Sequence, residues 1–95
     1  MKVSFTAQAE EELVVTAGFY AKEVSAAVGG AFVDEVERAC RLLQENPSMG
    51  REWQMRTRRL VLRRFPFNLI YRVVGDEVQI IAVAHQRRKP GYWTT

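Results

Sequence analysis

His85 is the single histidine of this 95-residue chain, and the consecutive cations Arg87, Arg88 and Lys89 stand between it and two large aromatics, Tyr92 and Trp93. An imidazole titrates near neutrality without help from its surroundings, so it is a ready proton donor or acceptor. Together with arginines that hold a phosphate, it can promote attack of an RNA 2′-hydroxyl and stabilise the charged transition state. The same residues also suit docking without catalysis. Cations beside aromatics match a polyanion or an acidic protein surface, with Tyr92 and Trp93 as anchors. The plainer alternatives are a solubilising tail and a structural histidine at a strand end, although a tail needs no aromatics. Further basic and apolar candidates lie upstream at Arg58, Arg59, Arg63, Arg64, Phe65 and Phe67.

Other chemistry is hard to find in the sequence. There is no nucleophile–base pair, paired-carboxylate site or glycine-rich phosphate loop. The run Glu10-Glu11-Glu12 reads as helix-start charge that is solvated and capping. Cys40 is alone, so no disulfide framework exists, and one cysteine with one histidine does not make a zinc site. Its place on an apolar stripe marks it as a small core residue rather than a nucleophile. No metal or cofactor is implied.

Charge divides sharply along the chain. Residues 1–50 carry four cations against eight acids, a balance of −4, whereas residues 51–95 carry ten cations against three acids, a balance of +7. One surface is therefore expected to meet something negative. No apolar run approaches the roughly 18 residues of a membrane span, and a lone cysteine fits a reducing compartment, so the expected location is cytoplasmic and off the membrane. The length and composition predict one domain over residues 1–95.

These side chains must be positioned by a small α+β framework. Met1, Val3 and Phe5 alternate with polar residues as in a half-buried strand. Thr6 is the expected N-cap of a helix running from about Ala7 to Ala21 or beyond, with Leu13, Ala17, Tyr20 and Val24 at helical spacing. Gly29-Gly30 is expected to break the pattern, and a second helix to start near Ala31, carrying Phe32, Val36, Ala39 and Leu43 on one stripe. Asn46-Pro47 ends it, because a residue before proline avoids helical angles. Residues 48–57 read as irregular, with Gly50 permitting a turn. Three strands follow: Arg58 to Arg64, Asn68 to Val74, and Glu77 to His85 after a Gly75-Asp76 turn. On the second of them Phe67, Leu69, Tyr71 and Val73 are expected to share a face. The prediction is β-α-α-β-β-β, a two-helix hairpin packed on one face of a curled, largely antiparallel four-stranded sheet.

Read as a series, the segments Val3 to Ala9, Phe32 with Glu35-Val36, Asn46-Pro47, Arg58-Arg59, Phe65 to Tyr71 and Ala82 to Trp93 resemble the RelE/ParE superfamily of toxins from bacterial type II toxin–antitoxin modules. The Phe-Pro-Phe…Tyr run and the terminal Ala-Val-Ala-His…Arg-Arg-Lys-Pro-Gly-Tyr-Trp are the specific parts, and they look like the ParE branch of plasmid-stabilisation proteins. The resemblance implies the β-α-α-β-β-β fold reached above. It also implies a cognate antitoxin, with an acidic or amphipathic segment that wraps the toxin, and either a homodimer or a hetero-oligomer with that antitoxin.

The superfamily contains two mechanisms. RelE-like members cut mRNA on the ribosome with basic residues on the middle strands, an arginine after the last strand and a C-terminal tyrosine. Their positions fall here on Arg59, Val61, Asn68, Arg87 and Tyr92 or Trp93, so a nuclease would use Arg59, Arg87, His85 and Tyr92. ParE-like members inhibit DNA gyrase by binding and need no catalytic residue. Uncharged Val61 and Asn68 favour the gyrase reading, with ribosome-dependent mRNA cleavage as the alternative. A family member that only binds its antitoxin is the third. The expected contact surface comprises Arg58, Arg59, Arg63, Arg64, Phe65, Phe67, Arg87, Arg88, Tyr92 and Trp93.

Overall fold

The computed structural model describes residues 1–88 and 91–94. Its elements run β1 (Lys2–Phe5), α1 (Ala7–Glu23), α2 (Ala26–Glu45), β2 (Arg51–Trp53), β3 (Thr57–Val61), β4 (Phe67–Val74), β5 (Glu77–His85) and a terminal 3₁₀ turn, Tyr92–Thr94. The strands form one open sheet in the order β1-β5-β4-β3-β2. Four strands and a curled sheet were expected; the structure has five strands and the sheet stays open. The added strand, β2, pairs antiparallel with β3, and β1 pairs parallel with β5, so the sheet is mixed.

Both helices lie on one face of this sheet. Thr6 caps α1 by accepting the Ala9 N–H at 3.2 Å. Leu13, Ala17 and Tyr20 of α1 and Phe32, Val36, Ala39 and Leu43 of α2 meet Leu69, Tyr71, Val78, Ile80 and Val83 in the main core. Tyr20, Phe32, Phe65 and Phe67 close one end of it with tilted and edge-to-face ring contacts, centroids 5.1–6.4 Å apart. Cys40 packs at its margin, where burial pushes the thiol up to about 11. That leaves almost no thiolate near neutrality.

The second helix begins five residues earlier than its apolar stripe suggested, at Ala26, with Ser25 accepting the Val28 N–H. Gly29 and Gly30 are helical. A Cβ on Gly29 would stand 2.8 Å from the Ala17 carbonyl oxygen and 2.9 Å from the Ala21 Cβ, so this glycine lets the helices approach closely instead of ending one.

In β4, Phe67, Leu69 and Tyr71 face the helices as expected, but Val73 is exposed, beyond the helical cover. Pairing slips by one residue where Ile70 meets Ala82 and Tyr71 meets Ile80, leaving Ile81 as a bulge on β5. Ile81, Ala82 and Ala84 consequently join Ile70 on the face away from the helices, where Trp53, Tyr92 and Trp93 cover them.

Glu35 pins α2 to the loop after β3. Its carboxylate accepts from Arg38 Nε at 2.7 Å and Nη2 at 2.8 Å, and from the backbone N–H of Arg63. The Arg38 hydrogen bonds hold its pKa below the ordinary 4.5 despite burial. A lowered folded-state pKa gives stability that is present above the unfolded value and lost as pH falls through the folded one. Between neutrality and strong acid, the protein should therefore lose about 1–2 kcal/mol that a Glu35→Gln variant lacks from the start. Urea midpoints measured down the acid range check this: the variant should be less stable at neutrality, and the gap should close below the pKa.

Candidate functional site

The open face of the sheet carries a cleft built from four neighbouring strands, β2 to β5, and the terminal turn. Alternation on β3 places Arg59 and Val61 on this face, opposite Leu60, which enters the helical core. Across the ladder, Arg59 pairs with Ile70 and Val61 with Asn68; Ile70 then pairs with Ala82 and Asn68 with Ala84. The floor is thus apolar, with Arg59 and Asn68 as its polar members. Trp53 from β2 and Tyr92 and Trp93 from the terminal turn form walls, and His85, Arg87 and Arg88 form the rim of a space of about 320 Å³.

Each aromatic wall already holds a cation. The Arg59 guanidinium carbon lies 4.0 Å from the Trp53 ring centroid, and that of Arg88 lies 4.1 Å from the Tyr92 ring. Tyr92 and Trp93 meet edge to face with centroids 5.5 Å apart. Among the described residues the ion pairs are Arg38–Glu35 and Arg58–Glu52, and none of Arg59, Arg87 and Arg88 is paired with a carboxylate there. His85 packs edge-on to Phe67, 5.1 Å between centroids, and its Nδ1 accepts the Arg87 N–H at 3.1 Å.

The terminal turn is fastened from the far side of the sheet by Glu12. β1 stops at Phe5, so the Val83 N–H of β5 has no strand partner, and Glu12 Oε1 accepts it at 2.9 Å. Glu12 Oε2 accepts from the Tyr92 hydroxyl at 2.7 Å. Burial, and then this hydrogen bond, push the Tyr92 pKa far above the usual phenol value, so it remains a donor throughout the neutral range.

The expected contact residues separate into three groups. Arg59, His85, Arg87, Arg88, Tyr92 and Trp93 come together at the cleft. Arg58 turns to the other face, donating to the Ser48 and Gly50 carbonyls beside Glu52. Arg63 and Arg64 are exposed on the loop that follows β3, Phe65 is buried in the core and Phe67 is half-buried against it. Lys89, Pro90 and Thr95 of the terminal run lie outside the described residues.

Two contributors carried no legible signal. Trp53 belongs to a strand too short for a period, and Glu12 is indistinguishable in sequence from its neighbours Glu10 and Glu11. Chemically, the cleft offers cations, N–H donors and the side-chain amides of Asn68 and Gln86. Among the described residues no three His, Cys, Asp or Glu side chains gather as metal ligands.

Comparison with known proteins agrees with this architecture. The family model described as "ParE toxin of type II toxin-antitoxin system, parDE" matches residues 3–90. Among solved structures, a chain from the "Chromosomal ParDE TA system from P. aeruginosa" is similar, with a TM-score of 0.81 and 25% identity over 90% of this chain and 95% of that one. No curated protein sequence matches.

Proposed function

The chain belongs to the ParE toxin family of type II toxin–antitoxin systems, and on that premise we propose that it inhibits DNA gyrase in the cytoplasm and is neutralised by a cognate antitoxin. The observation that carries the choice of target is the Val61–Asn68 pair. These two residues are direct neighbours across β3 and β4, at the positions where RelE-like nucleases place cations. Neither side chain can neutralise a phosphate or stabilise a pentacoordinate phosphorus. A cationic, aromatic cleft with Asn68 in its floor and Val61 beside it across the ladder suits binding to a protein better than cleavage of a phosphodiester.

The test is a supercoiling reaction with purified gyrase. Inhibition with accumulation of broken DNA is the expected result; undiminished supercoiling at saturating toxin sinks the proposal. Ribosome-dependent mRNA cuts mapped by primer extension would assign the nuclease activity instead, and their loss in an Arg87→Ala variant would place it at this cleft.

An antitoxin segment has an apolar landing surface on the opposite side of the molecule. Val14, Val15 and Phe19 of α1 are 65%, 62% and 59% exposed, more solvent contact than such residues usually keep. Covering them with an amphipathic segment that folds on binding would remove this surface from water. Burial of one such side chain contributes about 1.5–3 kcal/mol. The double variant Val14→Asp, Phe19→Asp should therefore bind antitoxin at least ~100-fold more weakly by calorimetry, at unchanged gyrase inhibition.

A further inference from the structure

Three polar atoms of the open-face cleft are buried and have no hydrogen-bond partner: Arg59 Nε, Asn68 Oδ1 and Trp93 Nε1. All three residues line the same cleft. Folded proteins leave few such atoms unpaired, and three in one place mark a site that something else completes. Asn68 is the most constrained of them. It is 6% exposed, and its ladder neighbours Val61 and Ala84 have no polar side-chain atom to offer.

The set consists of two N–H donors and one carbonyl acceptor, which specifies the missing group. A carboxylate or a phosphodiester supplies acceptors only, so it would match this set only after the Asn68 amide turns over to present Nδ2 in place of Oδ1. A trans peptide unit directs its C=O and N–H to opposite sides, so it satisfies one kind of partner at a time. A primary carboxamide carries two acceptor lone pairs and an adjacent NH₂ on one planar centre. A nucleobase edge has similar polarity but gains its affinity by stacking. Here the Trp53 and Tyr92 rings are already covered by the guanidinium groups of Arg59 and Arg88.

We propose that this cleft receives the carboxamide side chain of a glutamine or asparagine on a protein partner, bonded by Arg59 Nε, Trp93 Nε1 and Asn68 Oδ1. The three atoms lie beneath the cleft's own side chains, so the incoming amide shifts the Trp93 ring, which is held on one short terminal turn. The biological meaning rests on the reading of this face as the target-binding surface; the binding itself does not require the target.

The experiment titrates the ¹⁵N-labelled full chain with propionamide, propionate, inorganic phosphate and cytidine, following the Trp93 indole N–H resonance. Propionamide should move it downfield and saturably, with little dependence on salt, while propionate and phosphate leave it in place. Asn68→Leu should weaken propionamide binding at least tenfold, and so should Trp93→Phe, which keeps an aromatic ring without the N–H donor and is followed on the backbone N–H resonance of Asn68. No saturable shift with propionamide, an equal shift with propionate, or a response to cytidine alone would overturn the proposal. If propionamide binds as expected and gyrase is unaffected, the site stands and only the target is wrong. If gyrase is inhibited and propionamide does not bind, the site alone is lost.

Discussion

Gly50→Ala should destabilise the protein by about 3–5 kcal/mol, a large part of what a domain this size possesses. A Cβ at this position would stand 2.6 Å from the Tyr71 hydroxyl oxygen, 2.7 Å from its Cε1 and 3.0 Å from the Arg59 carbonyl oxygen. Tyr71 is fully buried and has no room to retreat. Its hydroxyl also accepts the Gly50 N–H at 2.9 Å and donates to the Pro47 carbonyl at 2.7 Å, so displacing the ring breaks both bonds. These contacts tie the segment between α2 and β2 to the middle of the sheet. Tyr71→Phe separates the two effects. It removes the hydrogen bonds without adding volume and should cost about 2 kcal/mol. Urea denaturation of the two variants measures both, and equal losses would show that crowding contributes nothing.

The second large effect is expected at Glu12. Glu12→Ala leaves the buried Val83 N–H without an acceptor and takes away the carboxylate that the Tyr92 hydroxyl bonds. The unsatisfied amide alone should cost about 1–3 kcal/mol. The functional consequence should be larger than the stability loss, because one wall of the cleft is held by that hydroxyl. Gyrase inhibition should fall at least tenfold under conditions where the variant is still folded. Tyr92→Phe is the informative companion, since it releases the turn but keeps Val83 satisfied. It should reproduce the functional loss with little change in the denaturation midpoint. Hydrogen exchange at Val83 and tryptophan fluorescence report the two ends of the connection separately. An inhibitory Glu12→Ala protein would show that the turn acts independently of its fastening.

How far the sequence discloses this arrangement depends on whether a feature leaves a period or a turn residue behind. β4 and β5 did so through β-formers on either side of Gly75-Asp76, and their limits agree with expectation to within a residue. The ends of the helical hairpin at Thr6 and Asn46 carried capping and pre-proline signals. β2 carried none. It has three residues, and its turn into β3 puts Met55 and Arg56 at φ 62° and 57°, a left-handed conformation normally announced by glycine or asparagine. Gly29-Gly30 gave the opposite error, because a glycine needed for close helix packing has the same letter as one that ends a helix. The cleft was legible in its basic and aromatic members and hidden in the rest. Trp53 reaches it through the unseen strand, and Ile81 and Ala82 turn to that face only because of a bulge that no residue type announces.

The parallel pairing of β1 with β5 bears on how the domain comes into being. Val3 lies beside Val78 and Phe5 beside Ile80, so the first strand to leave the ribosome has no neighbour until the last one is made. Contacts of such long sequence separation are closed late and at high entropic cost, which slows folding. The growing chain carries a helical hairpin whose apolar face has no sheet to rest on. His85 to Arg88, Tyr92 and Trp93, which complete the cleft, are among the last residues to emerge. A nascent chain therefore lacks the completed cleft until the last strand and the turn beyond it have been made.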